Sequence, residues 1–196
     1  MSYDIELKDP VTKETIEIVD AHFMQGGTYQ IGGTNQLWLN ITYNYSHYYY
    51  EATDGDPRFA HDEVSCVYAD GREGPIETRY GIRGIYGKTG AESVPMLEDM
   101  IERIKEKYQK NGSWISTKRK VMKYYDECGT EIDFGDYLDN SLHHRGKGFS
   151  KREEEIIVNE GPNSNYWQDT AANAIRPLLQ LIAFAKMRPD GIWDGD

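Results

Sequence analysis

Cysteine is scarce in this chain, and the shortage removes several functions at once. Cys66 and Cys128 lie far apart and in no C-x-x-C pattern, so neither a disulfide framework nor a cysteine-based zinc site is open to them. Positive charge is also short: 22 Lys and Arg stand against 33 Asp and Glu, a net charge of −11. A surface of that sign repels duplex nucleic acid and anionic membranes, which are gripped by cationic side chains. No apolar run approaches the roughly 20 residues of a membrane-spanning helix. The opening, MSYDIELKDP, has neither the basic nor the apolar region of a secretory leader. The expectation is a cytoplasmic protein with free thiols, touching neither membrane nor nucleic acid directly. Catalytic signatures are missing too. His22, His47, His61, His143 and His144 form no H-E-x-x-H or Cys/His set, and no G-x-S-x-G elbow occurs.

What the chain does have is tyrosine. Fifteen tyrosines lift the aromatic share to 12%, against a hydrophobic fraction of 38% that falls below the roughly 45–50% of an average globular chain. Tyrosine buries a large ring but wants its hydroxyl paired, which suits a half-wet sheet face or an interface. Residues 3–19 alternate as a β-hairpin turning at Asp9-Pro10. Glycine pairs bracket a short strand near Tyr29. Leu37, Leu39, Ile41, Tyr43 and Tyr45 fall on one face of a strand whose other face is polar. A further strand is expected at Val64, Cys66 and Tyr68. Leu97, Met100, Ile101, Ile104 and Tyr108 make the apolar stripe of a helix over about 94–110. Ser93 is its expected N-cap, Asp99/Arg103 and Glu106/Lys110 are its i,i+4 pairs, and Asn111-Gly112 is its stop. Residues 113–165 alternate in charge sign and read as an irregular inserted arm. A second helix, nearly apolar all round, runs from about 170 to 187 and contains Pro177, with Trp193 folding back onto the core beyond it. The fold class is α+β: one domain over 1–196, an antiparallel sheet packed against two main helices.

Three constellations are candidates for chemistry. The stretch 81–89, GIRGIYGKT, is a glycine-punctuated turn leading to a helix. A phosphate loop needs G-x-x-x-x-G-K-[ST]. Here Gly87, Lys88 and Thr89 supply the last triplet, but Ile82 stands where the first glycine belongs. Together with Arg83 these residues can hold an anion or nucleotide without hydrolysing it; the plainer alternative is a structural turn with solvated cations. The second constellation is a recognition surface. Tyr48, Tyr49 and Tyr50 would be aromatic anchors, and Asp126, Glu127, Glu131, Asp133, Asp136 and Asp139 an acidic face; the commoner reading of such a tyrosine run is a strand end packed on both sides. The third is a metal-dependent hydrolase built from His61, Asp62 and Glu63 with Asp54 and Asp56, against the commoner case of a solvated acidic loop.

At GIRGIYGKTGAES (81–93) and MRPDGIWDGD (187–196) the chain resembles a family of small uncharacterised proteins encoded by phages and integrated mobile elements. The resemblance extends to the N-terminal hairpin and the Tyr-rich strand, while 113–165 is peculiar to this chain. It brings no catalytic motif, so no functional residue is carried over. It implies an accessory protein in the cytoplasm of an infected or lysogenic bacterium, where such products inhibit host defence by binding an effector or sequestering a signalling nucleotide. The leading expectation is therefore a non-enzymatic inhibitor without metal or cofactor. Its partner would be a host bacterial protein, such as a nucleic-acid-binding defence effector. Sequestration of a small nucleotide is the alternative, metal-dependent hydrolysis comes after it, and self-association is left open.

Overall fold

Hydrophobic periodicity and local capping set most of the elements. The computed structural model describes residues 2–23, 33–68, 71–143 and 148–196. In chain order they carry β1 (Ser2–Lys8), β2 (Glu17–His22), β3 (Thr34–Gln36), β4 (Trp38–Thr42), α1 (Ser46–Thr53), β5 (Ala60–Val67), β6 (Glu73–Tyr80), α2 (Gly90–Tyr108), β7 (Gln109–Lys110) and β8 (Ser113–Trp114). Then follow β9 (Ser116–Tyr125), β10 (Glu131–Ile132), α3 (Phe134–His143), β11 (Ser150–Asn159), α4 (Ala171–Met187) and β12 (Ile192–Gly195). The fold is α+β with antiparallel sheets. The chain divides into a main unit, Met1–Trp114 with Glu160–Asp196, and an inserted unit, Ile115–Asn159. Among the described residues no helix is long and apolar enough to cross a membrane.

In the main unit, β1 is the centre of a three-stranded sheet, β12-β1-β4. Its alternation puts Tyr3, Ile5 and Leu7 in the core, where Leu39 and Ile41 of β4 join them. The expected 3–19 hairpin is not what forms. β1 pairs along its length with β4 and β12; the returning chain meets its end through the Lys8–Thr15 bridge and the Ile16 amide on the Leu7 carbonyl, and β2 then pairs with β3. All five residues of the α2 stripe are buried, and α2 packs along α4, whose Leu178, Leu181, Ile182 and Phe184 are buried as well. Each such large apolar side chain contributes roughly 1.5–3 kcal/mol by leaving water. Trp193 is buried as expected, and its indole N–H donates to Ser93 Oγ at 2.7 Å.

Several local expectations change. Thr89, not Ser93, caps α2, in a capping box with Glu92, because Ser93 is already inside the first turn. Asp99 and Arg103 do not pair with each other: Asp99 meets Arg58 and Arg103 meets Asp56. Asn111-Gly112 is the two-residue loop of the β7–β8 hairpin. Both residues have positive φ (52° and 77°), as a type I′ turn requires. The short strand expected near Tyr29, with the glycines that bracket it up to Gly32, and His144 lie outside the described residues.

The inserted unit holds more regular structure than its alternating charges suggest. β9 and β11 pair antiparallel from Ser116–Asn159 to Tyr125–Ser150, and β10 lies on the other side of β9. Helix α3 sets Phe134 and Tyr137 against Tyr124, with ring centroids 5.2 and 4.7 Å apart. The sign alternation is cross-strand pairing, Lys118 with Glu155 and Lys120 with Glu153.

Candidate functional site

Construction of the site begins at Thr42. Its hydroxyl accepts the Asn44 amide (3.3 Å), which ends β4 and turns the chain through a 3-10 turn at Tyr43–Tyr45 into α1. Tyr45, Tyr48, Tyr49 and Ala52 recur at i, i+3, i+4 and i+7, and all four are buried. Each phenol finds an acceptor. Tyr45 donates to the Tyr166 carbonyl, Tyr48 to the buried Glu160 carboxylate (2.6 Å) and Tyr49 to the Ala174 carbonyl (2.9 Å). Tyr48 and Tyr49 are thus core residues of a helix, at 0% exposure, which corrects the expectation that they anchor a partner. Only Tyr50 of the three turns outward, 46% exposed.

Tyr50 borders a cleft of about 480 Å³. Asp54, the C-cap of α1, stands on the same side; His61 comes from β5, and Thr78, Arg79 and Tyr80 from β6. Arg83 completes the lining from the 3-10 turn Ile82–Ile85. The antiparallel register of β5 and β6 does the assembling, since it sets Ala60 opposite Tyr80 and Asp62 opposite Arg79. Gly81 is needed between β6 and the turn. Its φ is +152°, and a Cβ there would stand 3.0 Å from the Tyr50 ring.

The polar groups of the cleft differ in how far they are committed. Arg83 Nε donates to the Asp196 carbonyl and Nη2 to the Tyr43 hydroxyl, both at 2.7 Å. Its guanidinium lies 5.0 Å from the Tyr3 ring centroid and 5.7 Å from that of Tyr43, so cation–π contact fixes its plane. The guanidinium also interacts with the Tyr86 hydroxyl. Among the described residues Arg79 has one ion-pair partner, Asp62 at 4.0 Å, and both side chains are more than half exposed, a pair worth about 0–1 kcal/mol. His61 Nδ1 lies 3.3 Å from the Phe59 carbonyl. That bond selects the Nδ1–H tautomer and leaves Nε2 for a ligand. Asp54 makes no hydrogen bond or ion pair among the described residues, whereas its neighbour Asp56 is gripped by Arg58 and Arg103. Those bonds, Arg58's first, hold the Asp56 carboxyl well below the ordinary range against the opposing effect of burial. The expected metal set therefore does not assemble. Asp56 is turned to arginines, and no three His, Cys, Asp or Glu residues gather among those described.

The 81–89 anion loop is corrected as well. The Gly87 amide donates to the Trp193 carbonyl, Lys88 to Ile85, Gly90 to Gly191 and Ala91 to Pro189. Thr89 N donates to the Glu92 carboxylate at 2.8 Å, so an anion already occupies the start of α2. Gly87, Lys88 and Thr89 hold the 187–196 segment instead of a phosphate. The two stretches that carry the mobile-element resemblance are thus partners of one another. Of that candidate set only Arg83 reaches the cleft.

Of the acidic face, Glu127, Glu131, Asp133, Asp136 and Asp139 are exposed, but three of its carboxylates have local work. Asp126 accepts the Cys128 and Thr130 amides, Asp133 accepts the Asp136 amide at the start of α3, and Glu131 pairs with Lys123. Residues 115–159 carry eight Lys and Arg against nine Asp and Glu, a net −1 that leaves −10 of the −11 in the main unit. Nothing in the sequence singles out Thr78, Arg79 and Tyr80; a polar strand next to a turn is ordinary, and only strand register brings them to His61. No family model, curated protein or solved structure matches the chain.

Proposed function

We propose that this chain is a non-enzymatic binding protein that takes a small phosphorylated ligand into the cleft beside Gly81 and withholds it. The observation that carries the reading is the pair Arg79 and Arg83. Two guanidiniums, Arg79 with donors to spare, line one 480 Å³ recess of a chain whose net charge is −11. Guanidinium forks match phosphate oxygens, and the volume falls within the roughly 300–1,000 Å³ of small-molecule sites. The acidic exterior disfavours long polyanions, so a small ligand fits better than a nucleic acid. The mobile-element resemblance supplies a setting in which withholding a signalling nucleotide is useful to its carrier. A host protein docking on 126–139 has weaker support, because that unit is nearly neutral and Asp126, Glu131 and Asp133 are engaged locally.

Titration calorimetry with nucleoside monophosphates tests the proposal. The expected result is one site per chain, ligand recovered chemically unchanged, and binding weakened about ten- to a hundredfold by Arg79→Gln through loss of a charge-assisted bond. Arg79 is 60% exposed at its side chain, so the variant should keep its fold. Absence of heat with every phosphorylated ligand, or affinity indifferent to Arg79→Gln, refutes it.

A further inference from the structure

Resting on that reading, we propose that the ligand is a guanine nucleotide and that Asp54 reads its base. Asp54 is the one carboxylate lining the cleft, and it is paired with neither Arg79 nor Arg83. An unengaged acid in a recess that two guanidiniums also line gives it both hydrogen-bond acceptors and donors. A phosphate answers the guanidiniums, Arg79 foremost, because Arg83 already serves Asp196, Tyr43 and Tyr86.

The carboxylate selects among bases by donor pattern. A carboxylate offers two acceptor oxygens and no donor. Guanine presents two adjacent donors on one edge, N1–H and the 2-amino group, which meet both oxygens. Adenine places an acceptor, N1, beside its amino group, and cytosine does the same with N3. Uracil has one N–H flanked by two carbonyls that repel the second oxygen. Only guanine satisfies both Asp54 oxygens without setting acceptor against acceptor.

The aromatic lining suits a planar ring. The Tyr50 ring lies along the bare Cα of Gly81, and its hydroxyl is 3.3 Å from that of Tyr3. A ring held at both ends while 46% exposed is a ready stacking surface.

Calorimetry with GMP, IMP and AMP, on the full chain and on Asp54→Asn, decides the matter. Because Asp54 is exposed and unbonded, the variant should melt with the parent. GMP is expected to bind about tenfold or more tighter than AMP, as a site built for hydrogen bonds rejects ligands that lack them. IMP, which keeps N1–H and lacks the amino group, should fall between. Asp54→Asn, whose amide offers one acceptor and one donor, should erase the preference by weakening GMP while AMP binds as tightly as to the parent or tighter. Equal affinity for GMP and AMP, or a preference that survives Asp54→Asn, overturns the guanine assignment alone, provided Arg79→Gln still weakens both. If no nucleotide binds, the phosphorylated-ligand reading falls and the base assignment with it.

Discussion

Burial raises the pKa of Tyr3, Tyr45, Tyr49 and Tyr86, and the Tyr45 phenol is pushed up to about 12. The neighbouring Arg176 pulls Tyr45 down and Asp169 pushes it up, but removal from water dominates. The folded pKa exceeds the unfolded value, so the neutral phenol contributes stability that is intact below about pH 10 and is lost as pH rises through about 12. Absorbance at 295 nm followed with ellipticity should show the buried tyrosines ionising only as structure melts in that alkaline interval. If all fifteen tyrosines ionise together near pH 10 with ellipticity unchanged, the burial of these rings is wrong. Their pairing was not legible beforehand. A run of three tyrosines looks like a sticky surface until Glu160 and Ala174, more than a hundred residues away, are seen taking the hydroxyls of Tyr48 and Tyr49.

The start of α2 shows how capping competes with ligand binding. Thr89 Oγ1 accepts the Glu92 amide and donates to the Glu92 carboxylate, and that carboxylate also takes the Thr89 amide. Thr89→Ala should lower stability by about 0.5–2 kcal/mol in urea denaturation while leaving nucleotide affinity in the cleft unchanged. A loss of affinity with no loss of stability would return the loop to the role of an anion cradle. The stripes of α2 and α4 and the alternation of β1 were plain in the sequence, because burial imposes period on long elements. Helix α1 was hidden, since Tyr43 and Tyr45 continue the strand's alternation even though Tyr45, Tyr48, Tyr49 and Ala52 already hold helical spacing. The length and pairing of β9 and β11 were hidden for another reason, though Ile156-Ile157-Val158 reads as a short strand: their charges answer each other across strands separated by α3, a relation no local window contains. Arg83 was found from sequence, and Arg79 was not, because register alone makes it a neighbour of His61.

At the scale of the whole chain, the main hydrophobic cluster draws its residues from outside Ile115–Asn159. Replacing residues 115–159 with a short Gly/Ser linker, while keeping the buried Glu160, should leave a cooperative fold and unchanged nucleotide affinity. A shortened chain that unfolds, or that folds but binds no nucleotide, contradicts that independence; retained nucleotide binding with loss of a host-protein contact would show two separate roles. The β12–β1 ladder carries a further consequence, for biosynthesis. On a ribosome, Tyr3, Ile5 and Leu7 leave the exit tunnel long before Trp193, yet Leu7 is paired with Trp193 across that ladder. The middle strand of the sheet must wait, one edge bare, until residue 195 is made, so the nascent chain is one that chaperones have time to hold.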